Sequence, residues 1–126
     1  MSAGLWIGVA ALGGLGAVAR MLVTASADRR AAMPFPIGTL VANLTGTFVV
    51  GVLAGAAVSG TARTLLITGL LGTFTTFSTW MLDTHRLATE GRRGLAVLNV
   101  AGSLAAGLLV IWAGERLGCA LRPQVG

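Results

Sequence analysis

The stretch Gly69-Leu-Leu-Gly-Thr-Phe-Thr-Thr-Phe-Ser-Thr-Trp80 sets five hydroxyl side chains and two glycines inside a run that is otherwise apolar. Thr73, Thr75, Thr76, Ser78 and Thr79 fall within seven consecutive residues, so at about 100° per residue they cannot share one stripe of a regular helix. A threonine can return its hydroxyl bond to the carbonyl four residues back, which accounts for one or two of them. Five of them beside Gly69 and Gly72 predict a helix that breaks. Unwound backbone at membrane depth is tolerated only where protein buries it or where it lines a cavity, and carbonyls freed there suit a cation. Phe74, Phe77 and Trp80 recur every third residue around the same break. Packing accounts for such rings, and their electropositive edges can also face an anion.

Composition supplies the membrane. The 126 residues are 55% hydrophobic and 10% charged, with a mean hydropathy of +0.85, far more apolar than a soluble domain. Charges punctuate four apolar segments, at residues 5–23, 37–58, 65–82 and 95–113. About 18 residues at roughly 1.5 Å each reach about 27 Å, close to the hydrocarbon thickness of a bilayer. The expectation is a single four-span membrane domain over residues 1–126, with connections at 24–36, 59–64 and 83–94. Ala25-Ser-Ala27 mimics a signal-peptide cleavage site, but a basic leader region is missing and Arg20 comes late, so the first segment is read as a mature helix.

All nine basic residues are arginine and lie almost entirely outside the apolar runs, which points to membrane flanks rather than nucleic-acid binding. With four spans, Arg63, Arg116 and Arg122 share one side; Arg29, Arg30, Arg86, Arg92 and Arg93, with Arg20 if it counts, share the other. So slight a bias gives a weak preference for outside termini and is compatible with insertion both ways round. Cys119 is the sole cysteine, which excludes an internal disulfide and a cysteine-built metal cluster.

Two other spans carry polar stripes. Thr39, Asn43 and Gly46 line one face of the second, and Asn99, Ser103 and Gly107 repeat along the fourth. Such groups commonly join helices to one another, and amides on matching stripes also make a polar track.

The run at 69–80 resembles the G-x-x-G-x-x-T-T-F-S-T-F signature of the CrcB/Fluc fluoride channels. Gly13-Gly-Leu-Gly-Ala-Val-Ala-Arg20 is similar to that family's first-span GGxxGAxxR, and Gly38-Thr-Leu-Val-Ala-Asn-Leu-Thr-Gly46 to its GTLxVNxxG. Asn99, Ser103 and Gly107 match the fourth span more loosely. The resemblance implies an all-α integral membrane protein of four transmembrane helices with the third broken, paired as an antiparallel, dual-topology homodimer in the bacterial inner membrane. Fluoride would leave passively along two pathways at the dimer interface, lowering its cytoplasmic concentration. A structural sodium ion at the dimer centre would be held by the backbone carbonyls of Gly72 and Thr75. The Phe-box rings carry over to Phe77 and Trp80, the pore amide to Asn43, the polar track to Thr39, Ser78, Thr79 and Ser103, and the vestibule arginine to Arg20. Three positions depart from the pattern: Trp80 stands where a second Phe is usual, Asn99 where Tyr is frequent and Asp83 where Glu is frequent.

Elementary chemistry agrees with that expectation. Fluoride is small and strongly hydrated, so a pore must replace its water with donors; amides, hydroxyls and ring edges do this without a full buried charge. A proton-coupled multidrug exporter of similar size needs a carboxylate within the membrane, whereas Asp28, Asp83, Glu90 and Glu115 all lie at or beyond span ends. A structural membrane subunit would explain the glycines but not the clustered hydroxyls. Gly14-x-Gly16-x-x-Ala19 is a partial dinucleotide fingerprint without its βαβ context, and His85 alone builds no catalytic or metal site, so no enzyme is expected.

Overall fold

Four helical spans run through residues 1–123, the part of the chain that the computed structural model describes. They are α1 (Ala3–Ala31), α2 (Ile37–Gly55), a composite third span, and α6 (Arg93–Leu121). The third span is assembled from α3 (Gly60–Arg63), a π-helical stretch (Thr64–Leu71), α4 (Gly72–Phe74) and α5 (Ser78–Thr89). All four spans are long and apolar enough to cross a membrane.

The helices overrun the apolar segments that mark them. The first continues through Asp28, Arg29 and Arg30 to Ala31, where Ala32 takes a left-handed φ of 48° and returns its N–H to the Asp28 carbonyl. Arginines in that last turn suit the negative end of the helix dipole. The third span likewise runs on through Asp83 to Thr89. It stops there because Gly91 adopts φ 80°, so that the Arg92 and Gly91 N–H groups fold back onto the carbonyls of Leu87 and Ala88. Hydropathy registers only the part of a helix in hydrocarbon, and polar turns at the headgroups extend it unseen. The second helix is shorter than its apolar run, ending at Gly55 before a turn in which Ala57 has φ 59°.

α2 packs most extensively on α6. Gly51 and Gly55 on α2 face Gly114 and Gly118 on α6, and a Cβ on Gly118 would collide with the backbone carbonyl of Val52. Small residues at this spacing let two backbones approach in a lipid environment where apolar side chains alone give no driving force. α1 packs on the π-helical stretch, α4 and α2, and α5 packs on α6.

Two ties between spans fix α2 at both ends. The Asp28 carboxylate of α1 accepts the Gly38 N–H at 2.7 Å, and the Arg122 guanidinium donates to the Gly55 carbonyl at 2.7 Å. Each charge has the sign that its end of the helix dipole favours.

Gly118→Val should therefore separate α2 from α6 and lower stability by about 1–3 kcal/mol. The control is Gly14→Ala, since a Cβ there meets nothing within 4 Å. Thermal unfolding of both variants in detergent is the measurement: a drop for the first and none for the second is expected.

Candidate functional site

The third span opens at Thr75–Phe77, three residues beyond Gly72, with Thr75 extended at φ −86° and ψ 157°. The eight-residue π-helical stretch before it closes its last turn with the Gly72 N–H on the Ile67 carbonyl. π-Helical turns are rare and concentrate at functional sites. Thr73 anchors this wide turn to α1 by donating its hydroxyl to the Gly13 carbonyl at 2.7 Å. Gly16 makes that approach possible, because a Cβ there would strike the Leu70 carbonyl and the Thr73 hydroxyl.

Two side chains hold the break open. Asn43 of α2 pairs with Thr76 as another strand would: its Oδ1 accepts the Thr76 N–H at 2.8 Å and its Nδ2 donates to the Thr76 carbonyl at 2.9 Å. Thr76 in turn accepts the Thr79 N–H on its hydroxyl at 3.2 Å. These bonds take the two amides that a continuous helix would close onto the carbonyls of Gly72 and Thr75. The Thr75 hydroxyl returns to the Leu71 carbonyl at 3.0 Å. Among the described residues no buried side-chain nitrogen or oxygen lacks a partner, so the break is built rather than frayed.

A groove of about 350 Å³ opens beside it between α2 and α6, with Asn43, Phe77, Trp80 and Ser103 of the expected site in its lining. Thr47, Thr75 and Thr76 add polarity, the remainder is aliphatic or glycine, and no lining residue is charged. Phe77 is 70% exposed, and its ring meets that of Trp80 edge-on, with centroids 5.7 Å apart and planes at 82°. Asn43 has a further N–H beyond the one given to Thr76, since an amide carries two donors.

Of the other expected residues, Thr75 shares that lining and the rest lie elsewhere. Thr39 and Thr79 line a second hollow with Asp28, Asp83 and Arg86 at the end of the bundle. There the buried Thr39 hydroxyl donates to Asp83 at 2.8 Å, and Arg86 stands 3.6 Å from the same carboxylate. Thr76 lies between the groove and the hollow, its hydroxyl 3.2 Å from that of Thr79. Ser78 is exposed and sits 3.4 Å from the Thr76 hydroxyl. Arg20 is in neither cavity's lining; its guanidinium lies 3.5 Å from the Thr75 carbonyl, against the break itself. Gly72 is exposed on the surface of the single subunit.

Sequence reasoning did not single out Thr76 as the hub, Asp83 as the partner of Thr39, or Thr84 as a partner of Asn99. The Thr76 signal was present among the five hydroxyls. The two others are contacts between helices at spacings that no periodicity encodes.

The sequence has counterparts among known proteins. A family model described as CrcB-like protein, Camphor Resistance (CrcB), matches residues 7–115. The chain is 44% identical over 113 residues to the fluoride-specific ion channel FluC 2 of Mycolicibacterium paratuberculosis, covering 90% of this chain and 93% of the relative. It is 44% identical over 115 residues to the Mycobacterium tuberculosis H37Rv protein of the same name, covering 91% of each. Identity to the fluoride-specific ion channel FluC 1 of Symbiobacterium thermophilum is 40% over 119 residues, covering 90% of this chain and 96% of that one. A match from the first span to the fourth, at this identity and coverage, makes the chain a multi-pass member of the CrcB family, whose relatives here are ion channels and not enzymes.

Proposed function

We propose that this chain is a fluoride-selective channel that lets the anion leave the cell passively and so lowers its cytoplasmic concentration. The observation that carries the reading is the uncharged groove at the helix break, lined by Asn43, Phe77, Trp80 and Ser103, with one Asn43 N–H not used on Thr76. Donors of this kind replace the water of a small anion without holding it as a fixed guanidinium would. The names of the curated relatives support fluoride as the ion.

The assembly proposed is an antiparallel homodimer in the bacterial inner membrane. Its physical support is the exposure of Gly72, Phe77 and Ser78: irregular backbone at membrane depth cannot face lipid and needs protein to cover it. A second copy, turned over, would bring the same polar surface to itself. A structural sodium ion fits the two carbonyls expected for it, since the amides that would close on Gly72 and Thr75 are engaged by Asn43 and Thr76. In a two-fold pair those oxygens occur twice, which suits a cation at midplane where a bare charge is costly. Arg20, beside the Thr75 carbonyl, would then share that oxygen's field with the ion rather than guard a distant mouth.

Purified protein in liposomes should pass fluoride and exclude chloride with no proton gradient imposed; transport that needs a gradient would favour an exporter instead. Asn43→Ala and Phe77→Ala should each cut fluoride flux by about tenfold or more, the scale of one lost hydrogen bond to a charged group. Wild-type flux in a correctly inserted variant would remove that residue from the pathway.

Gly72→Val leaves room within the subunit, where a Cβ meets only the Ile67 carbonyl at 3.4 Å, but shields the proposed cation oxygens. It should weaken the dimer on size-exclusion chromatography and abolish the dependence of flux on sodium; an unchanged dimer with an unchanged sodium response excludes the site.

Orientation can be read at Cys119, which is exposed. In intact vesicles an impermeant maleimide should label roughly half of the chains if both topologies insert equally. Complete labelling or none would mean a fixed orientation.

A further inference from the structure

Trp80 raises a chemical problem where a phenylalanine would raise none. Its indole N–H is a stronger donor than any ring edge. Free in the groove, it would be among the best uncharged anion ligands there and would bind where passage requires release.

That N–H points elsewhere. It donates to the backbone carbonyl of Asn99 on α6 at 2.9 Å. The Asn99 side chain, 1% exposed, reaches back to the same helix turn: its Nδ2 donates to the Thr84 hydroxyl at 2.9 Å and lies 3.4 Å from the Trp80 carbonyl. Thr84 closes the circuit by donating to that Trp80 carbonyl at 2.9 Å. Residue 80 is thus tied to residue 99 through its ring and through its main chain. A buried amide at the centre of such a circuit resists rearrangement, because turning it leaves groups unpaired.

We propose that the backbone carbonyl at residue 99 withdraws the Trp80 indole N–H from the pathway, and that the Asn99 side chain is the positioning group that locks this docking through Thr84 and the Trp80 carbonyl and fixes the ring against Phe77, so that Trp80 meets the anion as a ring edge alone. The proposal rests on the fluoride-channel reading for its flux measurements and is independent of it for its spectroscopic ones.

Trp6 and Trp112 are 62% and 61% exposed, so replacing both by Phe leaves Trp80 as a single reporter for NMR of its ¹⁵N-labelled indole. The resonance should be unmoved by sodium fluoride and moved by Asn99→Leu. Thr84→Val, which removes one hydroxyl at nearly constant shape, should move it too and serves if Asn99→Leu fails to insert. In liposomes Asn99→Leu should lower fluoride flux about tenfold in the native chain but less than about twofold when added to Trp80→Phe, the signature of a coupled pair. A resonance that titrates with fluoride, a resonance indifferent to both α6-tie variants, or equal flux losses in the two backgrounds overturns the proposal. Should the native chain pass no fluoride at all, the channel reading falls, while the response of the resonance to Thr84→Val still decides whether the tie exists.

Discussion

One amide fixes the geometry of everything around it. A helix that opens at membrane depth exposes peptide groups that lipid cannot satisfy, and Asn43 answers by pairing with both the N–H and the carbonyl of Thr76. Without that pairing the third span would gain by closing its ladder, since each buried, unpaired peptide group costs about 1–3 kcal/mol. Once α2 supplies the amide, the open form is the satisfied one. The hydroxyls then fall into roles: Thr73 to α1, Thr75 back to its own helix, Thr76 to the first turn of α5.

The groove and the end hollow differ in electrostatic kind. The groove has donors and rings but no charge, whereas the end hollow gathers two carboxylates and an arginine around Thr39 and Thr79. The Thr39 hydroxyl gives its hydrogen to Asp83, so while that bond holds only its oxygen is left to accept.

Much of the architecture was legible in the sequence because the membrane imposes it. Four spans follow from hydropathy, and the break follows from too many hydroxyls for one stripe. The break's centre was not legible, because it falls where Asn43 reaches across rather than at the glycines. Nor was the destination of the Trp80 N–H, since Trp80 and Asn99 meet through the docking of α5 on α6. The helices do not end where the apolar runs do: α1, the third span and α6 continue beyond them, and an alanine turn cuts α2 short.

The borrowed charges at the ends of α2 come from widely separated parts of the chain. The helix that carries Asn43 receives its first cap from Asp28, already made when α2 emerges, and its last from Arg122, which follows the fourth span. The amide that props the break thus sits on a helix whose two ends are tied by residues 94 positions apart in sequence, Asp28 before it and Arg122 beyond the fourth span.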